Sequence, residues 1–148
     1  MNSQRLPFWE TTAGLIFRWI GFIPCGILSA VVAVIACTLM CLIGDILDGS
    51  FWVYWNNPQL IYVECFFVPF INAAIFGATT VYVGALVAPS KIISSLVLFA
   101  LVVIIFGILG ALCLVVDGWK GAVQSLIAIV VAGITCYSMI QEDRYAAQ

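Results

Sequence analysis

The chain has 148 residues, 65% hydrophobic and 8% charged, with a net charge of −2 and no histidine. A soluble domain is about 45–50% apolar and about 25% charged, so a chain of mean hydropathy +1.21 lacks the polar residues to coat a surface facing water. Without histidine it lacks the commonest general base, metal ligand and haem ligand. Without a basic cluster it lacks the electrostatic footprint of a nucleic-acid or anionic-lipid binder.

Lipid removes the need for a polar coat, but the backbone must then satisfy its own hydrogen bonds, which only helices and closed barrels do. Barrel strands alternate apolar and polar residues over about ten positions, whereas the apolar runs here are continuous. The predicted fold is an all-α membrane protein, a single transmembrane domain over residues 1–148. It comprises four transmembrane helices in an antiparallel up-down bundle, preceded by an N-terminal interfacial segment.

The opening MNSQRLPFWETTAG has no short charged start leading into a cleavable apolar core, and the span behind it is too long for a signal peptide, so that span reads as retained. Residues 7–19 mix Phe8, Trp9, Phe17 and Trp19 with Glu10 and Arg18, a composition suited to the headgroup layer. Span one is predicted at about 20–43, without a charge, and Gly21, Pro24 and Gly26 are expected to bend it at its entry. A run of about 20 residues crosses ~30 Å of hydrocarbon at 1.5 Å per residue.

An outer loop follows at 44–59. It carries Asp45, Asp48 and the run Phe51-Trp52-Val53-Tyr54-Trp55. Two readings fit Phe51, Trp52, Tyr54 and Trp55: an interfacial aromatic belt, or a docking surface for a partner or lipid. Span two is predicted at about 60–87, long enough to tilt or to kink at Pro69. Spans three and four are predicted at 92–116 and 121–140. Ala88-Pro89-Ser90-Lys91 and Asp117-Gly118-Trp119-Lys120 leave room only for tight antiparallel turns. The side holding both tails and the turn before span three carries Arg5, Arg18, Lys91 and Arg144, against Lys120 alone on the other. The bias toward basic residues on the cytoplasmic side then puts both termini in the cytoplasm.

Membrane helices associate through small residues and polar pairs, because lipid tails are as apolar as leucine. Predicted packing faces are Gly26, Ser29, Ala30, Ala33 and Cys37 on span one, Ala100, Gly107 and Ala111 on span three, and Gly121, Gln124, Ala128, Thr135 and Ser138 on span four. Span three, the least polar, is expected to meet the most lipid. Span two differs, because Glu64, Asn72, Thr79 and Tyr82 fall within a sector of about 80° at helical pitch. Glu64 is the sole acid inside an apolar run, and a carboxylate in hydrocarbon is a functional candidate by default. It also lies about one turn inside the span, where a side chain reaches the headgroups. The stripe therefore reads as a polar path, as a partner contact, or as structural polarity, with Asn72 as interhelical glue.

The cysteines at 25, 37, 41, 65, 113 and 136 lie in or near spans, and so read as reduced small apolar residues. Cys37 and Cys41 share a helix face; without histidine or CxxC they read as packing ahead of a soft-metal pair. No GxSxG, HExxH, phosphate-loop or dinucleotide fingerprint occurs, so no catalytic residue, cofactor site or metal site is assigned. The expected function is a non-enzymatic accessory, assembly or scaffold subunit of a larger membrane complex, in contact with the bilayer and with other membrane subunits or its own copies. The alternative is a small oligomeric transporter or channel that uses the span-two stripe.

Overall fold

The computed structural model describes residues 11–47, 68–116 and 119–146. They form four helices: α1 (Thr12–Leu47), α2 (Val68–Val87), α3 (Lys91–Val116) and α4 (Trp119–Ala146). All four are long and apolar enough to cross a membrane, as the composition requires. The protein is an all-α, multi-pass membrane bundle.

The main difference from expectation lies at the start. Residues 12–19, expected as a separate interfacial segment, are the first two turns of α1. Thr11 caps them: its Oγ1 accepts from the Gly14 amide at 3.2 Å and its carbonyl accepts from the Leu15 amide at 3.0 Å. A threonine side chain in this position satisfies one of the orphan amides of a helix start. Nothing between this cap and Leu47 stops the helix. Pro24 sits within it, and residues 44–47, expected in the outer loop, form its last turn. At 1.5 Å per residue α1 is roughly 54 Å long, well beyond ~30 Å of hydrocarbon. Pro69 falls in the first turn of α2, where a missing amide hydrogen loses no helical bond; residues 60–67 lie outside the described part of the chain.

Helices consecutive in the chain run antiparallel. Gly26 of α1 meets Gly84 of α2, while farther along α1 Thr38 meets Asn72. Phe76 of α2 stacks against Phe106 of α3, with ring centres 5.5 Å apart. Gly110 and Cys113 of α3 meet Ser125 and Gly121 of α4. The arrangement is not a closed square. α2 packs on all three other helices, α3 packs on α2 and α4, α1 barely touches α3, and α1 and α4 do not touch.

The core is built largely from small side chains. Ala30, Val81, Ala85, Ala128 and Ala132 are fully buried, and Phe22, Leu98 and Val102 fill the space where α1, α2 and α3 converge. Two backbone approaches set the spacing. A Cβ built on Gly26 would lie 2.7 Å from the Thr80 carbonyl oxygen, and one on Gly77 would overlap the Ala128 carbonyl oxygen. Small residues at these points bring helices close enough for dispersion to hold them in lipid.

On α1 the expected face is the observed one: Gly26 and Ala30 are buried, and Ser29, Ala33 and Cys37 are half-buried beside them. On α3 it is not. Ala100, Gly107 and Ala111 are exposed, and α3 instead buries Ser94, Ser95, Leu98, Val102 and Gly110. Both serines satisfy their hydroxyls within the helix, Ser94 donating to the Ser90 carbonyl at 2.6 Å and Ser95 to the Ile92 carbonyl at 2.9 Å. A serine so bonded packs as a small residue. On α4 Ala128 is buried, Gly121, Gln124 and Thr135 are half-buried and Ser138 is exposed. Lipid exposure is shared by α1 and α3. Each buries 11% of its most apolar stretch, against 28% for α2 and for α4.

Candidate functional site: the open face of the second span

Of the four residues predicted as a stripe, Glu64 lies outside the described residues, as do Phe51, Trp52, Tyr54 and Trp55 of the outer loop. Asn72, Thr79 and Tyr82 sit on one side of α2, the first two half-buried and Tyr82 48% exposed. The buried residues of α2 are Gly77, Thr80, Val81, Gly84 and Ala85. At about 100° per residue their mean direction lies roughly 170–180° from that of the stripe. The polar stripe therefore faces away from the seam that holds the bundle. Asn72 meets α1 through Thr38, and only Tyr82 of the three is exposed, on the side where α1 and α4, both in contact with α2, do not contact each other.

Each polar group of the stripe has its own environment. Asn72 Nδ2 donates to Thr38 Oγ1 at 3.2 Å, and the Thr38 hydroxyl donates onward to the Val34 carbonyl at 2.9 Å. This is the interhelical bond expected of an asparagine at membrane depth. Asn72 Oδ1 is buried and has no hydrogen-bond partner among the described residues, so from these the amide recovers only part of what its desolvation costs. Asn72→Leu is accordingly expected to shift stability by less than about 1 kcal/mol, measured as the thermal midpoint of the detergent-solubilised chain. A much larger loss would mean that the amide has a partner beyond Thr38. Thr79 Oγ1 donates to the Ile75 carbonyl at 2.6 Å. Tyr82 has no hydrogen-bond partner among the described residues.

Elsewhere in the spans, hydroxyls bond to their own helix backbone. Ser29, Thr80, Ser125, Thr135 and Ser138 each donate to a carbonyl three or four residues earlier, at 2.7–3.0 Å. This pattern lets polar side chains enter hydrocarbon without an external partner. A groove of about 290 Å³ between α1, α2 and α3 is lined by Ile27, Phe76, Thr80, Leu101, Val102, Ile105, Phe106 and Leu109, and its accessible lining is entirely apolar. A binding site for a polar ligand needs a few convergent polar groups, which this groove does not present.

No three His, Cys, Asp or Glu residues gather around a common point among the described residues. Cys136 is buried, Cys37 and Cys113 are partly buried and Cys25 is exposed. Cys113 packs its side chain against Gly121 at the α3–α4 contact, the packing role assigned to the thiols from their positions.

Two features escaped the sequence reading. One is the seam on α2. Gly77, Thr80, Gly84 and Ala88 recur at spacings of three and four, the small-residue pattern through which membrane helices approach closely. The other is Arg18. Its Nε donates to the Val87 carbonyl at 2.9 Å and its Nη2 to the Ala88 carbonyl at 3.0 Å. These carbonyls belong to the last residue of α2 and to the residue after it, and Pro89 keeps the helix from continuing. Arg18 lies 69 and 70 residues away from them, and local sequence carries no sign of that pairing.

No protein-family model, curated protein or solved structure matches the chain.

Proposed function

We propose that the protein is a non-enzymatic accessory or assembly subunit of a larger membrane complex, with both termini in the cytoplasm. The observation that supports this reading is the direction of the span-two stripe. Asn72, Thr79 and Tyr82 lie on the side of α2 opposite its buried seam, and the inner hydroxyls are satisfied by their own helices. Asn72 already bonds to α1 and Thr79 to its own helix, which leaves the exposed Tyr82 as the polar group on that side open to contact with another protein, interhelical hydrogen bonds and close packing being what drives helix association in lipid. Aromatic residues of the outer loop add candidate anchors beyond the bilayer.

Purification of the tagged chain in a mild detergent, with mass analysis of what accompanies it, tests the proposal. Distinct partners in fixed ratio are expected. Replacing Trp52 and Trp55 with Ala is expected to lower their recovery by about tenfold or more, the effect of losing aromatic anchors worth about 2 kcal/mol. A chain that runs as a lone monomer sinks the subunit reading.

The alternative, a small transporter or channel, draws on the same stripe. Because the stripe faces outward, a path along it would form only between copies. That reading predicts that Glu64→Gln abolishes flux into liposomes while expression and assembly persist, and continued flux in this variant removes its central residue.

A further inference from the structure

α1 and α3 both run antiparallel to α2, so they point the same way through the bundle and share a register. A Cβ built on Gly26 would lie 3.6 Å from Leu98 Cδ2, which puts these two residues at one level. Farther along, Thr38 bonds to Asn72, one turn of α2 from the Phe76 that stacks on Phe106, so the register persists. The nearest charges on one side of the Gly26 level are Arg18 and Lys91, eight residues before Gly26 and seven before Leu98. On the other side they are Asp45 and Asp117, each nineteen residues on. α4 repeats the first of these levels. Gly133 packs on Phe99, which brings Glu142 level with Lys91 to within about a residue.

Between the two charged levels, residues 19–44 and 92–116 carry no charge. At 1.5 Å per residue these stretches are roughly 39 Å and 38 Å long. The hydroxyls of Ser29 and Thr38 on α1 and of Ser94 and Ser95 on α3 bond to their own helices, so none of them needs water. Apolar side chains stay open to the ends of both stretches: Ile20 at 68% and Ile43 at 49% on α1, Ile93 at 54% and Val115 at 84% on α3. An average bilayer offers ~30 Å of hydrocarbon and a thin one ~27 Å. To fit the average one, both helices would lean about 40°, the upper end of the range for spanning helices. At the usual lean of about 20° they fit about 36 Å.

We infer that the protein is matched to a thick bilayer, with about 36 Å of hydrocarbon against the ~32–33 Å of sterol-rich plasma membranes. The lengths of α1 and α3, the two helices that bury least of their apolar stretch, set this preference. The test uses the full chain in bilayers of neutral phospholipid, their hydrocarbon stepped by acyl-chain length from about 25 to about 40 Å. Tryptophan fluorescence follows the thermal midpoint in each. The midpoint is expected to be highest near 36 Å and to fall toward thinner bilayers. Ile43→Asp combined with Val115→Asp moves a charge two residues inward on both helices at the same level, at side chains open to lipid. The maximum of this variant is expected at bilayers about 3 Å thinner. Polarised infrared spectra give a second readout on the unmodified chain: mean helix tilt is expected to rise by about 15–20° between bilayers of about 36 and about 30 Å. A maximum at or below about 30 Å overturns the match, and so does a midpoint or a tilt indifferent to thickness. An unmoved maximum in the folded double variant shows that α1 and α3 do not set the preference, and overturns it too. If the double variant does not fold, the midpoint and tilt of the unmodified chain decide.

Discussion

Gly77→Leu is expected to detach α4 from α2 and to be among the most damaging single changes in the spans. A Cβ at Gly77 overlaps the Ala128 carbonyl oxygen, with the carbonyl carbon at 3.1 Å and the Cα at 3.3 Å. These are backbone atoms and cannot rotate away as a side-chain end can. The helices must separate, and the dispersion contacts of fully buried Ala128 and its neighbours are lost along the crossing. The destabilisation is expected at or above the upper end of the ~1–3 kcal/mol range for overpacking. Size-exclusion profiles after a temperature series in detergent measure it. Gly107→Ala is the matched control, because a Cβ there meets nothing within 4 Å. If both variants melt with the unmodified chain, the α2–α4 crossing does not hold the bundle.

Arg18→Ala is expected to loosen the end of the bundle where α1, α2 and α3 meet. The guanidinium joins α1 to two adjacent carbonyls at the end of α2, a forked geometry that arginine provides and lysine does not. Hydrogen bonds to charged groups contribute about 1.5–3 kcal/mol each. Arg18 is partly exposed, so about 1.5–3 kcal/mol for the pair together is the expected loss. Arg18→Lys is expected to recover less than half of it. Protease sensitivity of the turn at residues 88–90 and the thermal midpoint both report the change. Full rescue by lysine would show that charge at the membrane edge matters there and the fork does not.

Much of the architecture was legible because the bilayer is a demanding solvent. Continuous apolar runs of about 20 residues have few structures open to them in lipid, so helix type and span number follow from composition and length. The α1 face of Gly26 and Ala30 was legible for a related reason: small residues at helical spacing are the means by which membrane helices approach. The same rule failed on α3. There Ala100, Gly107 and Ala111 face outward, while two serines made harmless by bonds to their own backbone lie inside. Small size marks candidates for close packing without saying which candidate meets a neighbour.

Glu64 and the aromatic loop remain expectations from sequence. The sequence by itself determined the solvent, the helical class, the four spans and the grouping of Asn72, Thr79 and Tyr82 on one side of α2, because each is a local consequence of hydropathy or helical pitch. Only the tertiary structure decided which way that side faces, that α1 and α4 stay apart, and that Arg18 reaches the end of α2. These depend on which helix lies beside which across gaps of up to 70 residues. Helical pitch sets directions around one axis and carries no information about the placement of the next.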